Sequence, residues 1–564
     1  MADEPGLRVT YCSPMQSPQL RQLTTHPVLP LGLLLSLASL TLQAAEISVK
    51  PDATGTPQLL KAALASAAEG DVLMLKPGIY RETLVIDKRI TIKGGPGVIL
   101  EGTVPLVADW QPAGAELPGV LTAPLSTQPA GLLLDGKFIA ELRFDRAQKS
   151  GDWHWKTLLK KGPPLSGFNE IKALWIWHPK EKRAYLRLPD GISPATAQLT
   201  MVAQDKPLIA VKGAAGVVIE SLELIGGATG ISIGEGADRT VVRGCRIRSY
   251  EDTGIGISGT AGQCTVEQCE ITRGAMEEWA PSMEHNRANY EIWRIHKDVG
   301  KYDRVGINLF RAGVGNRILN NRLDRVFDGI CLGDYKAESL DDPLPDATHG
   351  QGTLIAGNVI ENTRDSGIEL GVGCVEVEVK DNTLRRTHGG FRFKAPRIGP
   401  VFIHHNRLID GSPFNFWFSM DSSPAEGYIY HNTIVGRKPA LALHVEKGKR
   451  DFSIPKWHVL NNLFATKEGY LDEPDKGNAV DFTSAHNVAL RKDASPWPGD
   501  TTKDKGSRYG VPITLNEQET PAPDSAAVDA GMDLSTYWKG KPLPGAEKGT
   551  SKGAAPDAGA VEVR

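Results

Sequence analysis

The chain has 564 residues, 40% hydrophobic and 23% charged, a length too great for one small globule and a composition typical of a soluble folded protein. Its 60 glycines favour many turns over long helices. A formal net charge of -3 gives no global pull toward nucleic acid or an anionic membrane, so any electrostatic recognition has to be local.

In chain order, residues 26–46 (HPVLPLGLLLSLASLTLQAAE) follow a basic lead-in at Arg21 and contain an apolar run from Val28 to Leu42, ending at the small residues Ala44 and Ala45. This pattern predicts a secretory signal peptide over residues 1–45, too short and too marked by Pro and Gly to span a membrane. It implies a secreted or periplasmic protein, and it points to Met15 as the true start. Cys12 falls in this leader. The remaining cysteines, Cys245, Cys264, Cys269, Cys331 and Cys374, are odd in number and lack C-x-x-C spacing, which argues against a zinc site or a disulfide framework.

Residues 46–104 contain PQLLKAALASAAEGDVLMLKPGIYRETLVIDKRITIKG, which predicts an amphipathic helix, a Gly-Asp turn and short strands. Over 105–205, GLLLDGKFIAEL predicts a hairpin turning at Asp135-Gly136, and ALWIWHPKEKRAYLRL predicts two strands joined by a polar turn. This stretch is expected to be an inserted antiparallel β-domain.

From 206 to 490 one pattern recurs: Val or Ile, two residues, an anchor, one residue, then an apolar residue. Its instances are VRGCRI, VEQCEI, ILNNRL, IAGNVI, VKDNTL, IHHNRL, IYHNTI and VLNNLF, anchored at Cys245, Cys269, Asn321, Asn358, Asn382, Asn406, Asn432 and Asn462. The tightest spacing is 24 residues, and a second short strand such as GIGIS, GIELG or GFRFK follows most anchors. Several short strands per turn of this length mark a solenoid. Residues 491–564, rich in Pro, Gly, Asp and Lys, are expected to run extended along the main body.

These repeats resemble the right-handed parallel β-helix of the pectin lyase-like superfamily, in which stacked Asn side chains form a ladder. The resemblance covers residues 46–104 and 206–490 and implies an all-β solenoid with an N-terminal capping helix. Identical Asn side chains about one strand spacing apart satisfy each other's amides, so the Asn column belongs to stability. Cys245 and Cys269 occupy the same slot one coil apart and are expected to be stacked buried thiols, although their spacing permits a disulfide. The inserted β-domain is similar to that of several β-helix glycoside hydrolases.

A β-helix has no cleft of its own, so a site must be built on stacked strands and walled by loops. The gap from Cys269 to Asn321 is 52 residues and that from Asn321 to Asn358 is 37, which puts excursions near 273–303 and 334–352. The first carries Trp279 and His285, the second Asp334; both are candidate substrate-binding walls. Counting six or seven residues past each anchor predicts a column Asp252, Arg304, Asp328, Asp365, His388. The outward row one strand further is Gly256, Asn308, Cys331, Glu369, Arg392, Trp417 and Ala442. The next is Ser258, Phe310, Gly333, Gly371, Lys394, Ser419 and His444, with Glu446 near its end.

Asp328, Asp365, Glu369, His388, Arg392 and Lys394 are the candidate catalytic residues; Arg304, Asn308, Asp334, Trp417, His444, Glu446, Trp279 and His285 are the candidate substrate-binding ones. Aromatic faces stack on sugar rings, and charged groups bind hydroxyls or uronate carboxylates. The structural alternatives are turn-capping aspartates and a solvated Glu369 to Arg392 salt-bridge ladder.

Three functions follow, each with a polysaccharide or oligosaccharide as partner. A glycoside hydrolase needs two carboxylates, and Asp328 with Asp365, or Asp365 with Glu369, supplies them. A polysaccharide lyase or uronate epimerase would use Arg392, Lys394 and His388 to neutralise a uronate and remove its proton. The resemblance to calcium-dependent lyases implies Ca2+ on Asp328, Asp365 and Glu369, although their Lys-to-Arg catalytic spacing has no match here; a hydrolase needs no cofactor. A non-catalytic carbohydrate-binding protein would show aromatic platforms without a convergent acid pair. No nucleotide-binding glycine motif, nucleophile elbow or zinc helix competes. The hydrolase is the leading expectation.

Overall fold

The structure is a computed structural model that describes residues 44–51, 59–149, 154–161, 173–202, 206–273, 304–333, 349–394, 396–411, 414–420, 425–437, 441–445, 456–467, 471–472, 483–490 and 504–563. Met15 and the expected signal peptide, apart from its last two residues Ala44 and Ala45, lie outside them. Among the described residues, no helix is long and apolar enough to cross a membrane.

Three long parallel sheets run the length of the solenoid, with 14, 11 and 13 strands among the described residues. Each coil contributes one short strand to each sheet, so chain-distant residues become lateral neighbours. The bend ahead of each anchor is made by one residue with positive φ: Gly244, Gln268, Asn320, Gly357, Asp381, His405, His431 and Asn461. For the non-glycine members this conformation costs roughly 1–2 kcal/mol. The following Asn offsets it. Asn358 Nδ2 donates to Asn382 Oδ1 at 2.9 Å, and Asn382 Oδ1 also accepts the Asn358 backbone N–H at 2.9 Å. The ladder runs from Asn321 through Asn358, Asn382, Asn406, Asn432 and Asn462 to Asn487. Cys245 and Cys269 occupy the same column as free, buried thiols. A disulfide between them, which the spacing permits, is not formed.

Alternate residues of each strand point into one continuous core. On the 11-stranded sheet the inward column Ile255, Ile307, Ile330 and Ile368 passes into Phe391 and Phe416, whose rings stack 5.2 Å apart. Phe391 and Phe393 are therefore core residues, and alternation turns Arg392 and Lys394 outward.

The helix Leu59–Ser66 buries Leu60 and Leu64 against the first coil, and Glu82 accepts the Leu60 and Lys61 amides at 2.9 Å each. Residues 103–202 form a four-stranded and a five-stranded sheet, with every pair antiparallel except Ala140–Glu141 on Leu174–His178. The Asp135-Gly136 turn has positive φ at both residues, the geometry a tight hairpin needs. The tail packs along the solenoid: Tyr430 donates to Pro544 O at 2.6 Å, and Ala560 N to Thr433 Oγ1 at 2.8 Å.

Candidate functional site

The outward face of the 11-stranded sheet gathers the candidate residues through register. Asn308, Cys331, Glu369, Arg392, Trp417 and Ala442 are successive lateral partners, as the repeat arithmetic predicts. The next row carries Phe310 beside Gly333, and Lys394 beside Ser419, which in turn lies beside His444.

The aspartate column needs one correction. Val305 pairs with Asp328, Ile330 with Ile368, and Ser366 with Gly389. Asp328 is therefore level with Ser366, and Phe327 takes the slot between Arg304 and Asp365. The coil of Asp328 has one residue fewer between its positive-φ bend and the next strand. Asp328 still joins the site from its shifted position, because its Oδ1 accepts the Ser366 N–H at 3.1 Å.

At the centre lie Asp365 and Glu369, both buried, at either side of the Ser366 hydroxyl, which is 3.4 Å from Asp365 Oδ1 and 3.4 Å from Glu369 Oε2. Arg392 Nη1 reaches both carboxylates, at 3.8 Å from Asp365 and 3.6 Å from Glu369. Lys394 Nζ is 2.7 Å from Glu369 Oε1. Burial alone would lower the Lys394 pKa, but the Glu369 carboxylate outweighs it and raises the pKa above its ordinary value. His388, in the column beside Asp365, is buried. Desolvation pushes its pKa down to about 4 against the pull of Asp365, with Arg392 and Arg364 adding to the fall. Its imidazole is neutral at neutral pH.

Trp417 was expected to be an aromatic platform for sugar. Instead the Arg392 guanidinium lies over its ring, 4.2 Å from the centroid, and Trp417 is 8% exposed. It holds Arg392 in place. Arg304 is also reassigned. It is 2% exposed, and its guanidinium bonds Glu251 and lies 4.0 Å from Glu141 of the insert and 4.0 Å from Asp252. Arg273 reaches the same Glu251 at 3.5 Å. Arg304 is thus part of a buried ionic joint between the insert and the solenoid. Asn308 sits in the predicted row with Oδ1 buried and, among the described residues, without a hydrogen-bond donor.

Trp279, His285, Asp334 and Glu446 lie outside the described residues, and His444 is placed by its backbone alone. The sequence arithmetic missed Ser366, whose hydroxyl and amide tie Asp365, Glu369 and Asp328 together. The signal was there: DSGI at 365–368 against DGI at 328–330 marks Ser366 as the inserted residue level with Asp328.

The calcium expectation does not fit this geometry. Glu369 is committed to Lys394 and Arg392, Asp328 to the Ser366 amide, and among the described residues no three His, Cys, Asp or Glu side chains converge to hold an ion.

Residues 207–395 match the family model described as the right handed beta helix region, and the solenoid they build is a right-handed parallel β-helix. Solved structures similar to the chain include XylC in complex with xylose, 14% identical, covering 87% of this chain and 90% of that one with a TM-score of 0.45. The pectate lyase Pel9A is 12% identical over 92% of this chain and 96% of its own, with a TM-score of 0.40. An alginate lyase from Paenibacillus sp. str. FPU-7 is 12% identical over 78% and 98%, with a TM-score of 0.35. No curated protein matches the chain.

Proposed function

We propose that this protein is a carbohydrate-active enzyme of the glycoside hydrolase class, secreted or periplasmic, acting on a polysaccharide or oligosaccharide through Asp365 and Glu369. The observation that carries this reading is the internal use of the two cations. Arg392 and Lys394 are turned onto Glu369 and Asp365, so they set the charge of a carboxylate pair instead of being presented to a substrate anion. Glycoside hydrolysis needs such a pair, one member as acid and the other as carboxylate. Glu369, flanked by both cations, suits the carboxylate role. Asp365, with one guanidinium at 3.8 Å and the neutral His388 beside it, suits the acid that protonates the departing glycosidic oxygen. A pair sharing one hydroxyl and one guanidinium is close-set, which favours retention of configuration.

One observation favours polysaccharide lyase chemistry as the second reading: a neutral His388 near Arg392 is a base beside a cation, whereas Lys394, with its raised pKa, is a poor base. The deciding experiment incubates the protein with neutral and uronate polysaccharides and follows reducing ends and unsaturated-product absorbance separately. The hydrolase predicts reducing ends without absorbance, lost in both Asp365→Asn and Glu369→Gln. Absorbance would establish the lyase instead. No product with retained sugar binding would leave a non-catalytic carbohydrate-binding protein.

A further inference from the structure

A second concave surface lies away from this site, where the inserted domain meets the first coils. It is a cavity of about 830 Å³, within the size range of pockets that take small organic ligands. One wall is solenoid: Arg81 and Glu101, ion-paired at 2.9 Å, with Thr103 donating to Glu101 Oε1 at 3.0 Å. The other wall is insert: residues 105–110 and the segment 193–200, held side by side by antiparallel pairing of Thr200 with Pro105 and by Leu106 N donating to Leu199 O at 2.9 Å.

Three features of this lining point to a ligand. Trp110 packs on the insert core and also lines the cavity. Val107 is 93% exposed at the same wall, an apolar surface left to water. Around these lie hydroxyl and amide side chains, Ser193, Thr200 and Gln198, with the carboxylate of Asp109. A sugar ring needs this mixture: an aromatic or apolar surface for its C–H face and polar groups of both kinds for its hydroxyls. The charges in the lining are Arg81, Glu101 and Asp109, and the first two are paired, which leaves a net acidic surface unfavourable to a polyuronate.

We infer that this groove is a second saccharide-binding site, selective for a neutral oligosaccharide, in which Trp110 stacks on one ring and the hydroxyl and amide side chains beside it bond the ligand's hydroxyls. The inference is independent of which reaction the Asp365 and Glu369 site performs.

The test is calorimetric titration of the full chain with xylohexaose, cellohexaose and hexagalacturonate. At least one neutral hexaose is expected to bind, with Kd weakened at least tenfold in Trp110→Ala. Because Trp110 also packs on the insert core, Ser193→Trp serves as the second variant: Ser193 is exposed at the rim, and an indole there would fill the groove without touching the core. It should weaken binding by a similar factor while its Tm stays unchanged. Binding of neither neutral sugar, or binding that both variants leave intact, would overturn the inference, as would a preference for hexagalacturonate. Loss of turnover in Asp365→Asn with this binding retained would separate the two sites, and absence of turnover in the wild type would count against the proposed reaction alone.

Discussion

Arg392 is the side chain on which the candidate site turns. It spans Asp365 and Glu369 while its plane lies on Trp417. Lysine keeps the charge but lacks the flat guanidinium, so Arg392→Lys would lose the contact with Trp417 that positions the cation between the two carboxylates. A displacement on the order of 1 Å at such a point costs about 100-fold in rate. Steady-state kinetics of Arg392→Lys should show that loss in kcat/KM with Tm little changed; wild-type kinetics would remove Arg392 from the site. His388 makes a separate prediction about acid. Its folded pKa, about 4, lies below the ordinary 6.5, so the unfolded chain binds the extra proton first as pH falls. The stability from holding it neutral is complete above pH 6.5, is lost as pH falls from 6.5 to 4, and changes no further below that. The loss is about 3 kcal/mol for one group. Half-buried His405 and buried His431 have pKa values depressed by desolvation to about 2 and about 4, and act with the same sign. Calorimetric Tm measured from pH 7 to 4 should therefore fall less steeply in His388→Gln than in the wild type. Equal slopes would mean that His388 titrates in the folded protein as it does in the unfolded chain.

At the scale of the strand and its bend, the Asn ladder sets the register that every site distance depends on. Asn382 takes two donors from Asn358 and gives its Nδ2 to Ile355 O at 3.0 Å and Asn406 Oδ1 at 2.9 Å, all buried. Asn382→Ala strands several of these groups away from water, at about 1–3 kcal/mol each. Calorimetry should find a clear drop in Tm for it. Cys269→Asn should not destabilise, because Cys269 already donates its N–H to Asn321 Oδ1 at 3.0 Å and an amide in its place would add a second rung. A Tm for Asn382→Ala equal to the wild type would mean that the ladder contributes nothing. The same element explains what the sequence disclosed. Anchors recurring in one slot made the coils, the inward phenylalanines and the row from Asn308 to Trp417 legible, because alternation and stacking follow from backbone geometry alone. Asp328 was misplaced because coils differ by one residue between bend and strand, which a count from the anchor does not register. Asn487, the last ladder Asn, was missed because Ser484 stands where the repeat has Val or Ile, and its backbone N–H donates to Ser507 Oγ at 2.9 Å instead of to another Asn. The stacking of Arg392 on Trp417 was not readable either: register makes them neighbours but does not say which covers which.

Over the whole molecule, two bodies of chain dock on one solenoid, the insert on its early coils and the tail along its later ones, and the candidate site sits on the outward face of the 11-stranded sheet. The joint to the insert is ionic and dry. Glu251 is 2% exposed and serves both Arg304 and Arg273, and Arg273 lies 4.8 Å over Phe138 of the insert. Desolvation, together with the neighbouring Arg304, lowers the Arg273 pKa to about 10 against the pull of Glu251, which shows how far these charges are removed from water. The sequence alone could not reveal this joint, since Arg304 meets a partner 53 residues away along the chain and a second, Glu141, on the insert. Its role separates from catalysis by experiment. Removing one partner of a buried ionic group costs about 3–5 kcal/mol, because the remaining charges stay buried and uncompensated. Glu251→Gln should therefore lower Tm and speed limited proteolysis within residues 105–205, while kcat/KM on a short substrate, measured well below the new Tm, stays at the wild-type value. If turnover falls while Tm and the proteolysis pattern hold, Arg304 acts on substrate after all, and the joint between insert and solenoid rests on other contacts.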